Sequence, residues 1–385
     1  MDISVVIVNF NVRYFLEQCI LSVQAASKNL QTEIIVVDNN SSDESCELLQ
    51  NKYPEVKLIS NKKNTGFSKA NNQGVEIALG KYVLILNPDM LVAEDTFEQL
   101  ISFAETRINI GIVGVKLIDG SGNFLPESKR GIPTPKVAFN KLFGISSKQT
   151  GKYYATHLNE NDTGVVDVLV GAFMFLKKGV YQEVNGFDED YFMYGEDIDL
   201  SYKVKIHGYQ NFYFSNTQVI HYKGESTKKD LKYLKYFLGA MKIFYKKHFK
   251  LNLLYDFIMS FGIQIWYFLK FFKFKFYIEG KFKQSNNVLL FSENEEIIHS
   301  LKEKYLVISK NLIDDIARIK SIISKEKIDK VVFDNGAFSN KQIIACLQQL
   351  KNENVTFKIR PVGTNYIIGS TCSEKRGEVE FIQTS

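Results

Sequence analysis

Short apolar runs alternate with segments of helical spacing over the first 120 residues of the chain. The apolar runs predict four buried strands, at residues 3–9, 33–38, 56–60 and 81–87. The segments between and after them predict helices at residues 12–26, 68–79 and 94–106, and another helix that ends at residue 49. Strands that are apolar on both faces are typical of a parallel sheet covered by helices on both sides. The pattern therefore predicts an α/β fold with a mostly parallel sheet.

Polar and acidic side chains follow each of the four predicted strands. They are Asn9 after the first, Asp38, Asn39 and Asn40 after the second, Ser60 and Asn61 after the third, and Asn87 and Asp89 after the fourth. Ligands on parallel sheets bind beyond the carboxyl ends of the strands, so we expect a ligand site at this edge. For any single residue, an ordinary loop is the alternative. Ser41, Ser42 and Asp43 offer capping groups for the second helix.

The later part of the chain divides into further segments. Residues 167–178 predict a strand, a turn and a strand, and residues 186–209 predict an acidic loop that leads into a helix. Another strand is predicted at 213–221, and residues 288–385 return to α/β alternation, which predicts a second, smaller Rossmann-like module. We therefore expect a first domain at residues 1–227, a basic aromatic helical segment at 228–283 and this module at 284–385.

The composition is that of a globular protein, with 45% apolar and 24% charged residues. This balance excludes a largely disordered chain. The four cysteines form no CxxC pair and no zinc-ligand spacing, which favours free thiols in a reducing compartment. The first ten residues lack a basic segment and a cleavage site, so we expect no signal peptide there. Both observations favour a cytoplasmic location.

The basic character of the chain is concentrated in residues 228–283, which hold 13 lysines against three acids. The longest uncharged stretch in this segment, residues 257–269, is 13 residues long, whereas a spanning helix needs roughly 20. Residues 251–274 instead predict a helix that lies in a membrane interface, with lysines facing anionic lipid. A helix that pairs the two domains is the alternative. Because no RNA-binding motif is present, we expect no nucleic-acid partner.

Five short motifs follow one another in the first 225 residues: ISVVIVNFN, VVDNNSSD, NTGFSKANNQG, LNPD and GEDIDL. Their order and spacing resemble the family 2 glycosyltransferases, and within these the bacterial rhamnosyltransferase-like branch. The resemblance implies a GT-A fold and an inverting transfer of a sugar from a nucleoside-diphosphate sugar, with dTDP-rhamnose or a UDP-sugar as candidate donors. It also implies a hydroxyl acceptor on a glycan or lipid-linked glycan in cell-surface polysaccharide synthesis.

The resemblance implies a divalent cation, Mg²⁺ or Mn²⁺, at the end of the fourth strand. A carboxylate at Asp89 can bind such a cation, which then acts as a Lewis acid on the departing diphosphate. Many relatives have Asp-x-Asp here, whereas this chain has Asn87 at the first position. His221 is the second candidate metal ligand, because imidazole binds borderline metals and some relatives place a histidine there. A structural histidine is the alternative.

The resemblance also assigns contacts with the nucleotide sugar. Asp38 is expected near the nucleobase or the ribose, with Asn9 and Asn11 in the same pocket, while helix capping is the alternative for Asp38. Gly66 suits a tight turn because glycine tolerates positive φ. The remaining candidates are Asn40, Asn64, Asn71, Asn87 and Gly171. Lys223, Ser226 and Thr227 are candidates for a phosphate-binding loop.

A sugar transferase also needs a base for the acceptor hydroxyl. By resemblance, this role belongs to Asp197 in the GEDIDL motif, with Glu196 in support. Asp199 is two residues further along, so a helix would point it elsewhere, and we expect a capping or structural role. Acidic residues at a helix start also suit the helix dipole, which leaves a structural role open for Glu196 and Asp197.

The leading hypothesis is a metal-dependent, inverting hexosyltransferase bound peripherally to the inner face of the cytoplasmic membrane. Its partners would be a nucleoside-diphosphate sugar and a glycan or polyprenyl-linked acceptor, and homo-oligomer formation is left open. A sugar nucleotidyltransferase shares the α/β layout, but the segment NFNVRYFLEQ lacks the Gly-rich basic loop of that class. A non-catalytic scaffold that binds nucleotide sugars at the membrane is the other alternative.

Overall fold

The computed structural model describes residues 1–134, 137, 153–225, 231–249, 287–302, 305–309, 313–370 and 377–382. Within these ranges, nine strands form one sheet and six strands form another. Ser226, Thr227 and the interfacial helix predicted at 251–274 lie outside the described residues. None of the helices within the described ranges is long and apolar enough to cross a membrane.

The amino-terminal half of the first sheet follows the predicted pattern. Its strands are β1 Ile3–Asn9, β2 Thr32–Asp38, β3 Lys57–Ser60 and β4 Tyr82–Leu86. They are parallel and lie in the order β3-β2-β1-β4. The intervening helices are α1 Arg13–Ala26, α2 Ser45–Lys52 and α3 Phe67–Glu76.

The strands are apolar along their length because both faces of the sheet are covered. Val5 and Ile7 enter a core with residues of α1 and α2, whereas Val6 between them enters a second core with residues of α3. Alternate side chains of one strand therefore supply opposite cores, as expected for a sheet buried on both faces. The α/β fold with a mostly parallel sheet, predicted as a GT-A-type sandwich, is confirmed.

The rest of the first domain extends this sheet with strands of mixed direction, of which β6 and β9 are parallel to each other. In chain order, its elements are β5 Met90–Val92, α4 Thr96–Glu105, β6 Ile110–Ile118, β7 Gly164–Val166, β8 Phe173–Lys177, α5 Lys178–Glu183, α6 Glu196–Ile206 and β9 Gln210–His221. The sheet continues from β4 in the order β8-β6-β9-β5, and β7 pairs with β9. Strand β8 is antiparallel to β4, and β5 is antiparallel to β9.

Two local predictions were wrong. Residues 167–178 contain one strand, β8, because the backbone before it bonds to helix α6: the Leu169 N–H donates to Ser201 Oγ at 3.3 Å. Helix α2 starts later than predicted, and its capping position carries Glu44 in the left-handed region. Asp43 accepts the Ser45 N–H at the start of α2 at 3.2 Å and also the Arg13 N–H at 2.8 Å, so it joins the starts of α1 and α2.

A long amphipathic helix and a second sheet follow the first domain. Helix α7 spans Leu231–His248. The later helices are α8 Glu295–Lys302, α9 Ile316–Lys325 and α10 Asn340–Gln349. The strands are β10 Asn287–Phe291, β11 Leu306–Ser309, β12 Lys330–Asp334, β13 Thr356–Arg360, β14 Tyr366–Gly369 and β15 Glu378–Phe381. Strands β11-β10-β12-β13 are parallel in that order, which confirms the predicted second α/β module.

The second module packs directly on the first domain. The Glu94 carboxylate accepts the Asn340 N–H at 2.6 Å and the Lys341 N–H at 3.0 Å, which satisfies free donors at the start of α10. Tyr366 donates to Glu17 of α1 at 2.7 Å. One apolar core contains side chains of both parts, including Ile220 beside Ile344. The two sheets therefore share buried surface.

Candidate functional site

The ends of β1 and β2 are joined by a buried polar pair. Asn9 Nδ2 donates to Asp38 Oδ2 at 2.8 Å, and Asp38 Oδ1 accepts the Ser41 N–H at 2.8 Å. Both side chains are almost fully buried, and Asn9 Oδ1 has no hydrogen-bond partner. A buried acceptor without a partner costs free energy, so Asn9 is suited to receive a donor from a ligand.

The neighbouring asparagines shape the loops at this edge. Asn11 and Asn40 have φ values of 56° and 67°, a left-handed conformation that asparagine tolerates better than most residues. The Asn11 side chain accepts the Ser42 N–H at 2.7 Å, which ties the two loops together. Asn40 is exposed at the edge of the sheet. Both residues therefore lie where the sequence placed a nucleotide site.

The NTGF loop connects this edge to the acidic loop before α6. Asn64 Oδ1 accepts the Gly66 N–H at 2.9 Å, and the Phe67 N–H donates to the Phe192 carbonyl at 2.8 Å. Gly66 has a φ of 87°, and a Cβ atom there would lie 2.5 Å from the same carbonyl, so glycine is required. The Asn71 amide turns back to the Phe67 carbonyl at 2.9 Å, and its Oδ1 is buried without a partner.

Asp89 directly precedes β5 and lies beside His221, the last residue of the antiparallel strand β9. His221 Nε2 is 3.5 Å from Asp89 Oδ1, and both side chains are buried. Asp89 Oδ1 and His221 Nδ1 have no hydrogen-bond partner. No set of three or more histidine, cysteine or acidic side chains in the described part of the chain could hold a metal by itself. A carboxylate and an imidazole fit Mn²⁺ or Mg²⁺ only if phosphate or water supplies further ligands.

Asp197 lies at the start of α6 and is held by three donors. Arg130 donates to Asp197 Oδ2 at 2.5 Å, and the Gly171 N–H donates to the same oxygen at 3.2 Å. Asp197 Oδ1 accepts the Ile198 N–H at 2.8 Å. A Cβ atom on Gly171 would lie 3.2 Å from the Asp197 Cβ, so glycine permits this close approach. The carboxylate is therefore fixed in one orientation.

The sequence analysis did not single out Arg130, although it contacts the candidate base. Its side chain is 10% exposed, and the charge of Asp197 raises the pKa of the guanidinium above its ordinary value even though burial lowers it. Arg130 lies in a turn-rich segment 67 residues before Asp197 and belongs to no motif. Only the folded chain brings the two residues together.

Glu196 is a buried acid beside Asp197. Its Oε2 atom has no hydrogen-bond partner. Desolvation by burial, followed by the charge of Asp197, raises the pKa of Glu196 to about 8. Glu196 therefore holds a proton at neutral pH.

Glu196 makes the stability of the protein depend on pH. Its pKa is about 8 in the folded state and 4.5 ordinarily, so the folded state binds more protons between these values. The free energy of unfolding should therefore fall as pH rises through this window. We expect Glu196→Gln, which cannot ionise, to gain melting temperature relative to the wild type from pH 5.5 to pH 8.5. Glu76→Gln, at an exposed position, is the control; a Glu196→Gln difference independent of pH would contradict the prediction.

Backbone bonds join the regions around Asp89 and Asp197. The Asn87 N–H donates to the Ala172 carbonyl at 2.9 Å, and the neighbouring Gly171 contacts Asp197. The strand ends that carry the candidate residues therefore meet at one edge of the sheet. Lys223, a candidate for the phosphate-binding loop, forms an ion pair with Glu127.

Residues 4–184 match the family model of glycosyl transferase family 2, so this part of the chain is a family 2 glycosyltransferase domain. The chain is therefore a glycosyltransferase, of the rhamnosyltransferase-like kind. It is 25% identical over 242 residues to N-acetylglucosaminyl-diphospho-decaprenol L-rhamnosyltransferase of Mycobacterium tuberculosis. This alignment covers 59% of this chain and 78% of that protein.

Two further similarities concern another rhamnosyltransferase and a solved structure. The chain is 30% identical over 167 residues to rhamnosyltransferase WbbL of Escherichia coli K12, which covers 41% of this chain and 61% of the relative. The crystal structure of S. aureus TarS 1-349 aligns with a TM-score of 0.45 and 13% identity, covering 72% of this chain and 76% of that one.

Proposed function

We propose that this protein transfers a sugar from a nucleoside-diphosphate sugar to an acceptor hydroxyl with inversion at the anomeric carbon. One observation carries the proposal: the Asp89–His221 pair and the Asp197 carboxylate lie at the same sheet edge, connected through Asn87, Ala172 and Gly171. Displacing a diphosphate in a single step requires two groups. One is an acidic site for a cation, and the other is a separate carboxylate held in a fixed position.

The donor nucleotide would bind over the ends of β1, β2 and α3. Asn9 and Asp38 would contact the nucleobase or ribose, because Asn9 Oδ1 is a buried acceptor without a protein partner. The turn at Gly66 and the backbone at Gly171 allow close approach of the sugar diphosphate. Pyrimidine donors, dTDP-rhamnose or a UDP-sugar, are the proposed class.

Asp89 and His221 would hold Mg²⁺ or Mn²⁺, which when bound supplies Lewis acid stabilisation of the diphosphate. The fit rests on the buried, unpartnered Asp89 Oδ1 and His221 Nδ1. Asn87 stands at the first position of the Asp-x-Asp motif that the family resemblance implies. The protein therefore supplies less negative charge to the cation than an Asp-x-Asp motif does, and phosphate oxygens would complete its coordination.

Asp197 would remove the proton from the acceptor hydroxyl as it attacks the sugar. Asp197 Oδ1 accepts one hydrogen bond and keeps a lone pair for this proton. The ion pair with Arg130 holds this carboxylate in a fixed position. Because the acceptor oxygen displaces the diphosphate in one step, the anomeric configuration inverts.

The acceptor would be a glycan or a polyprenyl-linked glycan at the inner face of the cytoplasmic membrane, in cell-surface polysaccharide synthesis. The name of the M. tuberculosis relative includes a decaprenol-linked substrate, and the E. coli relative is a rhamnosyltransferase. A cavity of about 570 Å³ beside Arg130 supports an acceptor with an apolar part. Much of its lining is apolar, including Ile132, Val137, Ala155, Val165 and Val166.

Donor turnover by the purified protein tests the proposal. Full-length protein is incubated with dTDP-rhamnose, UDP-sugars and GDP-sugars, with Mn²⁺ or with EDTA, and the released nucleoside diphosphate is measured. We expect one pyrimidine donor to raise the melting temperature and to be consumed only with metal. Binding without turnover with any acceptor would instead support the non-catalytic scaffold. A product that keeps the donor's anomeric configuration would contradict inversion.

A further inference from the structure

Helix α7 packs along the acidic loop that leads into α6. Phe244 is fully buried in a cluster with Tyr191 and Ile198. A Cβ atom on Gly195 would lie 3.1 Å from the Ala240 Cβ, so the two backbones approach closely just before Glu196 and Asp197. The packed face of α7 therefore lies directly behind the candidate base.

The carboxyl end of α7 contributes one buried polar contact to α6. His248 Nε2 lies 2.6 Å from Asp199 Oδ1, and the two side chains are 13% and 1% exposed. The rings of Tyr202 and Phe244 lie 4.7 and 5.0 Å from the imidazole ring and hold it in place. This enclosed geometry favours a single arrangement of the imidazole and the carboxylate.

Asp199 needs such a partner because it is one of three acids in the first turn of α6. Tyr191 donates to Asp199 at 3.4 Å, and Lys203 lies 3.5 Å from it. The hydrogen bond from His248 is shorter than either contact. A buried Asp199 carboxylate without this partner would repel the nearby Asp197 carboxylate, and the first turn would shift.

A second contact anchors the same helix end to the loop. Lys247 forms ion pairs with Asp188 and Asp190, near the start of the acidic loop. Tyr245 donates to the Pro133 carbonyl at 2.9 Å, three residues after Arg130. Helix α7 thus touches both segments that fix Asp197: the loop before α6 and the segment that carries Arg130.

We propose that His248 is a positioning residue for the transfer reaction. Its contact with Asp199 holds the first turn of α6 in place, and this turn places Asp197 beside the acceptor hydroxyl. The inference rests on the proposed role of Asp197 as base. His248 does not contact the reacting atoms. Displacing a catalytic group by about 1 Å can cost about 100-fold in rate, so loss of this contact should reduce turnover.

The test compares His248→Ala with His248→Gln, whose amide can donate to Asp199 in place of the imidazole. We expect His248→Ala to lower kcat for transfer about 10- to 100-fold, with the donor KM and the Mn²⁺ requirement within about twofold of wild type. His248→Gln should recover most of the loss. Lys246→Ala, an exposed change on the same helix turn, is the control and should leave kcat unchanged.

Hydrogen exchange provides a readout that does not depend on activity. Backbone amides of residues 188–199 should exchange faster in His248→Ala, whereas those of β1 to β4 should not change. His248→Asn, which is too short to reach Asp199, replaces the alanine variant if that variant does not fold. Unchanged exchange in 188–199, or unchanged kcat, would overturn the inference. If the wild type transfers no sugar, the proposed function fails, and the exchange result still decides whether His248 holds the loop.

Discussion

Asp197→Asn is expected to lower kcat for sugar transfer by about 10²- to 10⁴-fold, the usual contribution of a general base. The amide keeps the size of the side chain and can still accept a hydrogen bond from Arg130, but it cannot take the acceptor proton. Nucleotide binding should persist, because Asp38 and Asn9 lie at the ends of other strands. Initial rates at saturating donor, together with nucleotide titrations, would measure the two effects separately.

A stability effect accompanies this substitution and has to be separated from catalysis. Removing the charge of Asp197 leaves the buried Arg130 guanidinium without its ion-pair partner, and breaking a buried pair costs roughly 3–5 kcal/mol. Rates should therefore be measured well below the melting temperature of the variant. Asp167→Asn is the matched control, because Asp167 pairs with Lys205 in a partly exposed position. Full activity of folded Asp197→Asn would rule out Asp197 as the base.

Asp89→Asn is expected to reduce kcat/KM for the donor by about 10²- to 10³-fold and to abolish the response to Mn²⁺. Lewis acid stabilisation is worth several kcal/mol, and each 1.36 kcal/mol corresponds to a factor of about ten. The substitution removes the carboxylate nearest to His221 and leaves the backbone contact between Asp89 and Tyr222 intact. Rates over a range of Mn²⁺ concentrations would show the change.

The metal proposal can also be tested at its second ligand. His221→Gln should act in the same direction as Asp89→Asn but with a smaller effect, since it removes a neutral ligand and not a charge. The Asp167→Asn variant again serves as the control with an unchanged metal response. An Asp89→Asn enzyme that kept its Mn²⁺ dependence would place the cation elsewhere.

Local pattern predicted the architecture well where both faces of a strand are buried. The runs at β1, β2 and β4 are mostly apolar because cores lie on both sides of the sheet, so strand type and parallel pairing followed from composition. Residues 167–172 were misassigned because the Leu169 and Gly171 N–H groups donate to side chains of α6, and the Val168 N–H donates to the Arg130 carbonyl. Local sequence pattern does not reveal such long-range hydrogen bonds.

In the candidate site, too, some residues were predictable from their local sequence and others depend on contacts with distant segments. Asp89, Asp197 and His221 lie in short motifs or at strand ends, so each was visible as a residue type in a suitable place. Arg130 and His248 were not, because their partners lie 67 and 49 residues away in the chain and neither residue belongs to a motif. Contacts between distant segments depend on how helices pack, which periodicity does not specify.

The amino-acid sequence by itself determined the α/β class, the polar edge of the parallel strands and the resemblance to family 2 glycosyltransferases. These features depend on hydrophobic periodicity and on residues close together in the chain. Only the tertiary structure decided that Asp89 meets His221, that Arg130 holds Asp197 and that α7 supports the acidic loop. Buried charges need partners of opposite sign, and folding selects those partners from distant segments according to geometry.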